Sequence, residues 1–330
     1  MNKKTIFIFI SLVLCLFIVF IFSLSAGSYD ISVFESLKAL FGYADSDSEM
    51  IVRSLRLPRI LIAMIVGAGL SASGCAFQAI LKNPLADPFT LGVSGGASLG
   101  AAIAFSFGFA AAAWFFVPLF AFCGALAAVF GVYLLSSRNG FDGNSMILSG
   151  IIISFVFSSA VIFLFALTSP NRMQAAFVWL MGGFSSIDDK LLIAAPAMIV
   201  LGCVVLCLSA NLINLLAMGG QKAETLGINT KKSVKGIFFI ASFITAACVC
   251  ICGVIGFVGL MIPHIMRRIV GFKHSILMPA CILGGAVFLP FCDALSRIIF
   301  SPVLFPVGVL TNLTGAVFFM ALLLREKKTD

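Results

Sequence analysis

Long uncharged stretches are the feature that most limits how this chain can fold. Charged residues divide it into eight uncharged runs, and a helix needs roughly 20 apolar residues to cross a bilayer. The runs cover residues 5–29, 60–81, 88–137, 143–171, 191–221, 236–266, 274–292 and 298–324. With 61% hydrophobic and 10% charged residues, no segment is polar enough to form a water-soluble domain. The sequence therefore predicts an all-α, multi-pass membrane protein with a single transmembrane domain over residues 1–330.

Two of the runs are too long for one simple span. The run 88–137 would extend about 75 Å as one helix, so it is expected to fold back near residues 107–111. The run 236–266 contains glycines and Pro263, which favour a break between two short helices. With two crossings there, two thirds of the 21 Lys and Arg residues face the cytoplasm. The positive-inside rule thus favours about ten transmembrane helices with both termini cytoplasmic.

Patterns that would indicate an enzyme or a nucleic-acid-binding protein are missing. The sequence has no G-x-x-x-x-G-K-[ST] phosphate loop and no H-E-x-x-H pair. Its ten cysteines lie inside apolar runs, where they are expected to pack between helices rather than bind metal. The net charge of +8 is scattered over short loops and forms no basic face. We therefore predict no catalytic residue, cofactor, metal site or nucleic-acid partner. Membrane lipid is expected to surround the chain.

Ion-coupled secondary transport is the alternative function for such a chain. Transporters of that class usually hold carboxylates near the membrane midplane. Here only Asp87 and Asp293 touch a predicted span, and both lie near an end of it. Asp293 and Arg297 are four residues apart, so we expect them to pair on one helix. The shortage of midplane carboxylates makes this alternative less favourable than transport powered by a partner.

Basic residues are unexpectedly concentrated on the outer side, between the first and second spans. Lys38, Arg53, Arg56 and Arg59 lie there, and Arg297 is predicted to lie on the same side. They are either interfacial side chains that reach the headgroup region or a docking surface for an acidic external partner.

Two segments on the cytoplasmic side have distinctive patterns. Residues 83–88 contain two prolines, which predict a rigid turn, and Asp87 is expected to cap the following helix. The loop over residues 215–229 is too polar to span and too apolar to be merely solvated. It is expected to insert into a groove on a cytoplasmic partner. Small residues at 67–74 and 92–100 further predict close helix approach.

Together these motifs resemble one known family, the ten-span permeases of ATP-binding-cassette (ABC) importers for iron–siderophore, haem and vitamin B12 compounds. The similarity rests on ordered motifs between about residues 53 and 320. They are R-L-P-R at 56–59, Gln78, K-N-P-L-A-D-P at 82–88, L-G-V-S-G-G at 91–96, A-x-x-L-G at 223–227, G-F-V-G-L-M-I-P-H at 256–264 with Arg267 and Arg268, D-x-x-x-R at 293–297 and P-V-G-V-L at 306–310. The resemblance implies a type II ABC importer permease fold in a bacterial cytoplasmic membrane.

The same resemblance implies partners and residue roles. The permease would form a dimer, with two identical copies expected, and each copy would bind one cytoplasmic ATPase subunit, while an external substrate-binding protein delivers the cargo. A coupling loop over about residues 211–232 would contact the ATPase through Gly219, Gly220, Ala223, Glu224, Leu226 and Gly227. Arg56, Arg59 and Arg297 would dock the external protein. Asn83 and Leu85, with Asn144 and Ser145 as weaker candidates, would line a cytoplasmic gate.

Overall fold

A computed structural model describes residues 3–27, 29–184, 191–218, 225, 227–299 and 305–326. This part of the chain is helical between its turns, as predicted. Its helices are α1 (Lys3–Ser25), α2 (Val33–Phe41), α3 (Ser46–Met50), α4 (Leu57–Ile80), α5 (Val93–Ser106), α6 (Phe109–Ala112), α7 (Phe116–Arg138), α8 (Gly143–Ala166), α9 (Pro170–Leu180), α10 (Leu191–Leu208), α11 (Ala210–Ala217), α12 (Thr230–Cys252), α13 (Val258–Val270), α14 (His274–Ile299) and α15 (Val307–Glu326).

Helix α4 lies at the centre of the bundle. It is continuous with α3 through a π-helical segment at Ile51–Arg56, so the combined helix runs from residue 46 to residue 80. It packs against α10, α12, α13 and α14, while α5 packs against α7 and α8. Helix α1 lies at the periphery against α14, with much of its apolar surface exposed. A helix that is apolar on its outward face in this way is suited to lipid rather than water.

The described helices agree broadly with ten predicted spans. Seven are long and apolar enough to cross a membrane, and an eighth span results if α10 and α11, which are bent by 56°, count as one. Helices α5 and α13, with 14 and 13 residues, complete the ten. Each is about 20 Å long, so neither alone crosses a hydrocarbon core of about 30 Å. Each would complete a crossing only together with the non-helical backbone next to it.

Both predicted breaks are confirmed. Helix α5 ends at Ser106 and α7 begins at Phe116, which folds the long run back on itself. The second break separates α12, which ends at Cys252, from α13, which begins at Val258. At this break, the carbonyl of Cys252 accepts a hydrogen bond of 2.8 Å from the amide of Gly183. Non-helical backbone is tolerated at membrane depth only when other protein groups satisfy it in this way.

Close helix approach, also predicted from the small residues, occurs at the centre of the bundle. A Cβ atom added to Gly67 would lie 2.2 Å from the carbonyl oxygen of Gly285 on α14. A Cβ atom added to Gly74 would lie 1.8 Å from the carbonyl oxygen of Gly259 on α13. Real Cβ atoms do not approach backbone this closely, so only glycine allows these helices to pack at these distances.

Helix α9 was not expected from the sequence. It starts with Pro170 at its first turn, after Ser169, and packs against α5. Arg172 on this helix donates a hydrogen bond of 2.9 Å to the carbonyl oxygen of Ser106. Because Arg172 interrupts the apolar pattern, the sequence predicts only a connection between spans in this region.

Candidate functional site

The outer end of the bundle is organised around the last residues of α1. The final carbonyl groups of any helix lack intrahelical partners and carry partial negative charge. Arg56 donates hydrogen bonds to the carbonyl oxygens of Leu24 at 2.6 Å and Ser25 at 2.8 Å. Arg297 donates to the carbonyl oxygens of Ala26 at 2.6 Å and Ser23 at 3.1 Å. Two guanidinium groups thus cap the end of α1.

Asp293 brings one negative charge into this cluster. Its carboxylate is fully buried and accepts a hydrogen bond of 2.7 Å from Nη2 of Arg59. The predicted pair with Arg297 is confirmed, with 3.2 Å between Nε and Oδ2. The pair between Asp293 and Arg59 was not predicted, because the two residues are 234 positions apart. No local spacing rule connects residues at that distance.

These contacts correct the expectation of a solvent-exposed arginine surface. Arg56 and Arg297 are each only 5% exposed, and Arg59 is partly buried against Asp293. The unsatisfied carbonyl groups of α1 draw the first two side chains inward. Direct contact of the three arginines with an external protein stays a prediction. The exposed basic residues of this region are Lys38, whose ammonium lies 4.6 Å from the ring centre of Phe34, and Arg53, which pairs with Glu49.

At the opposite end of α4, residues 81–87 form the rigid turn that the prolines predicted. The side-chain oxygen of Asn83 accepts a hydrogen bond of 2.9 Å from the amide of Leu85. This Asx turn leaves the Leu85 side chain 57% exposed. Lys82 precedes it with a φ of 52°, a backbone conformation that few residues other than glycine adopt. The turn therefore presents one apolar side chain from a constrained backbone.

The start of α8 lies directly against this turn. A Cβ atom added to Gly143 would lie 2.8 Å from the carbonyl oxygen of Leu81. Ser145 is engaged in a reciprocal capping box with Asp142, and these hydrogen bonds hold the pKa of Asp142 below its usual value. Asn144 is exposed. The structure thus brings the two candidate gate segments, 81–87 and 141–145, together at one end of the bundle.

Asp87 lies in the same region but does not cap the next helix with its side chain, as had been predicted. Instead its backbone carbonyl accepts hydrogen bonds from the hydroxyl of Thr90 at 2.7 Å and the amide of Thr90 at 3.1 Å. Its carboxyl group is buried, with Oδ1 unpartnered among the described residues. Burial raises the pKa of Asp87 to about 7.

A polar contact secures α4 to α13 close to this turn. The side-chain oxygen of Gln78 accepts a hydrogen bond of 2.6 Å from Arg267, and its amide donates to the carbonyl oxygen of Leu260 at 3.3 Å. Both Gln78 and Arg267 belong to the motifs that carry the family resemblance. Their pairing was not predicted, because the two residues are 189 positions apart.

The predicted coupling loop is described only in part. Gly219, Gly220, Ala223, Glu224 and Leu226 lie outside the described residues. Gly227 has a φ of 78°, and a Cβ atom added to it would meet nothing within 4 Å. A larger residue there would be strained by the backbone conformation and not by crowding.

The first part of this loop, on α11, is anchored to a long helix. The side-chain oxygen of Asn214 on α11 accepts hydrogen bonds from the amide of His274 at 2.7 Å and from its ring Nδ1 at 3.0 Å. His274 is the first residue of α14, so Asn214 caps that helix. Helix α14 continues to Asp293 and the outer arginines, about 28 Å away. This connection was not predicted from the sequence.

Among the described residues, no group of three or more His, Cys, Asp or Glu side chains could hold a metal ion. Seven cysteines are buried and unpaired in the helical bundle, consistent with a packing role; they are Cys75, Cys203, Cys248, Cys250, Cys252, Cys281 and Cys292.

Comparison with known proteins gives consistent matches along nearly the whole chain. The model of the FecCD transport family matches residues 15–325. The cobalamin import system permease of Halobacterium salinarum is 37% identical over 284 residues, which cover 86% of this chain and 75% of that relative. The hemin transport system permease of Yersinia pestis is 34% identical over 278 residues, which cover 83% of each. A solved structure of a metal-chelate type ABC transporter, in an inward-facing conformation, has a TM-score of 0.85 and 30% identity, covering 97% of this chain and 99% of that one.

Proposed function

The chain belongs to the FecCD transport family, and from that premise we propose that it imports a bulky metal chelate with power from a separate ATPase. It is a non-catalytic, multi-pass permease of the ABC transporter type. The proposed assembly contains two permease copies, two cytoplasmic ATPase subunits and an external substrate-binding protein. The proposed cargo is an iron–siderophore complex, haem or cobalamin, with an iron chelate as the first choice. The observation that carries this proposal is the sequence identity of 37% and 34% to two import permeases, each over more than four fifths of the chain.

The inner end of the bundle supports a role in coupling and gating. The ATPase would bind Gly219, Gly220, Ala223, Glu224, Leu226 and Gly227. Asn83 and Leu85, with Asn144 and Ser145, would form the cytoplasmic gate, since the two segments that carry them are in contact. ATP binding would bias the bundle between two states only if the partners bind those states differently.

Helix α14 supports transmission between the two ends. Its first residue is held by Asn214, near the start of the coupling loop, and Asp293 near its other end is held by Arg59. A displacement of the coupling loop would therefore reach the outer surface through one helix. The external protein would dock at that surface through Arg56, Arg59 and Arg297, with Lys38 and Arg53 as the more exposed cations.

Ion-coupled transport is less well supported than ATP-driven import. One of its two candidate carboxylates, Asp293, is engaged by both Arg59 and Arg297. A carboxylate neutralised by two guanidinium groups is poorly suited to bind and release a proton or a sodium ion. Asp87 lies in a turn outside the helices and not at the middle of a span.

Co-purification tests the proposed function. The tagged chain, produced from its native operon and extracted in mild detergent, is expected to carry a stoichiometric ATPase subunit. Mass spectrometry of the purified complex identifies the partner and its ratio to the permease. A chain that is consistently free of any ATPase under these gentle conditions would contradict the importer proposal and favour ion coupling.

A variant lacking residues 223–227 tests the coupling loop separately, in a transport assay. In proteoliposomes, its uptake of the chelate retained by the external binding protein is expected to fall to background while ATP hydrolysis continues. Normal uptake by this variant would contradict the assignment of the coupling loop.

The docking surface is tested at its exposed residues. The double change Lys38→Glu and Arg53→Glu is expected to slow association with the external binding protein about tenfold at low salt, because charged rims mainly steer encounter. Binding kinetics at several salt concentrations measure the effect. Arg138→Glu, at the far end of α7, is the matched control. Equal association rates for all three proteins would rule out electrostatic docking at this surface. Arg56 is avoided because a carboxylate there would face the carbonyl groups of α1.

A further inference from the structure

An aromatic box at the inner end of the bundle holds the ammonium group of Lys235. Its nitrogen lies 5.1 Å from the ring centre of Tyr133, 5.4 Å from the ring centre of Phe141 and 3.5 Å from the Tyr133 hydroxyl. The two distances to ring centres are within the range in which a cation is attracted to the face of an aromatic ring. Lys235 on α12 is thereby joined to the end of α7 and to the loop that follows it.

The backbone at Phe141 has an unusual conformation. Its φ is 54°, which is rare for a bulky residue, and its side chain is only 7% exposed. The ring is held edge-on by Tyr133 and by Phe238, with centroid distances of 5.7 Å to each. A strained residue that its surroundings fix so completely is typical of switch and gating segments.

The box lies between the coupling loop and the candidate gate. On one side, Lys235 follows Asn229 by six residues, and Asn229 caps α12 near the end of the coupling loop. On the other side, Phe141 precedes Gly143 by two residues, and Gly143 touches the carbonyl of Leu81 at the beginning of the Asn83–Leu85 turn. A continuous series of contacts therefore leads from the loop to both gate segments.

We propose that Lys235 is a positioning residue that transmits movement of the coupling loop to the cytoplasmic gate through Phe141. This inference rests on the proposed function, since it assumes an ATPase at the coupling loop. When the start of α12 moves, the ammonium group pulls on the Tyr133 and Phe141 rings. Because Phe141 is held in a strained backbone conformation, a small displacement of its ring changes the path of residues 139–145. That change then reaches the turn at 81–87 through Gly143.

Hydrogen–deuterium exchange in the complete permease–ATPase complex tests the proposal without knowledge of the cargo. In the wild-type complex, a non-hydrolysable ATP analogue is expected to change amide exchange in residues 82–87 and 139–146. In Lys235→Met, this nucleotide-dependent change is expected to decrease about fivefold or more, near the lower end of typical coupling between sites. Nucleotide binding, measured separately, shows that the ATPase is still loaded.

Two further variants distinguish a positioning role from a general structural one. Lys235→Arg keeps a cation over the rings and is expected to restore the nucleotide response. Arg138→Met removes a neighbouring exposed cation and is expected to respond as the wild type does. An unchanged nucleotide response in Lys235→Met, or no recovery of the response in Lys235→Arg, would overturn the role given to Lys235 and leave the proposed function standing. A wild-type chain that binds no ATPase would overturn the proposed function and this inference with it.

Discussion

Changing Gly74 to alanine is expected to destabilise the folded chain by about 1–3 kcal/mol or more, which is the usual cost of overpacking a tight core. The added Cβ would lie 1.8 Å from the carbonyl oxygen of Gly259 and 2.6 Å from its Cα atom. Both are backbone atoms, so no side chain can turn away to make room. Helices α4 and α13 would have to separate, which would also strain the hydrogen bonds of Gln78. The thermal unfolding midpoint in detergent measures the loss.

Gly236→Ala is the matched control for this prediction. Gly236 lies inside α12, and a Cβ atom added there meets nothing within 4 Å. Alanine is favoured over glycine in a helix by about 1 kcal/mol, so this variant should be as stable as the wild type or more stable. Similar unfolding midpoints for the two variants would show that the contact between α4 and α13 is not as close as described.

Replacing Asp293 with asparagine is expected to have the second large effect. The change keeps the shape of the side chain but leaves Arg59 and Arg297 without their buried counter-charge. Removing one partner from a buried ion pair typically costs about 3–5 kcal/mol. The cap on α1 should weaken as well, because Arg297 also holds the carbonyl oxygens of Ser23 and Ala26. The yield of folded protein and its unfolding midpoint measure this loss.

Glu49→Gln is the control for the second prediction. Glu49 pairs with Arg53, whose side chain is 47% exposed, and exposed pairs contribute only about 0–1 kcal/mol.

The Asp293→Asn variant also tests ion coupling. A proton- or sodium-binding Asp293 would give a folded variant that has lost only transport. A stable Asp293→Asn protein with normal yield would therefore contradict the structural role given to this carboxylate.

Much of the architecture could be predicted because it depends on local sequence. The break near residues 107–111 follows from run length, and the break at residues 253–257 follows from its glycines. Pro263, which was expected to contribute to the second break, lies inside α13. The rigid turn at residues 83–88 follows from its two prolines. The family was identified from the order of its motifs, which can be read from the sequence without knowing how the helices pack. Helix α9 was missed because Arg172 interrupts the apolar pattern. A short α13 was expected, but the short length of α5 was missed and α12, also expected to be short, has 23 residues, because charge gaps do not mark helix ends.

The candidate sites were predicted less completely, and the reason differs between them. The turn carrying Asn83 and Leu85 was correctly located, since its geometry is local. The outer arginines were expected at the surface, but the burial of Arg56 and Arg297 depends on where the end of α1 lies. The contact of Asn214 with His274 and the box around Lys235 have no signature in the sequence.

The sequence by itself determined the membrane environment, the order of the apolar helices, the positions of the turns and the family. These properties depend on composition and on the spacing of neighbouring residues. Only the tertiary structure decided which polar residues meet, as in the pairing of Arg59 with Asp293 and of Gln78 with Arg267. Such partners are far apart in the chain, and the lateral placement of the helices brings them together. Because lipid offers no hydrogen bonds, a polar group buried in the bundle is stabilised mainly by partners within the protein.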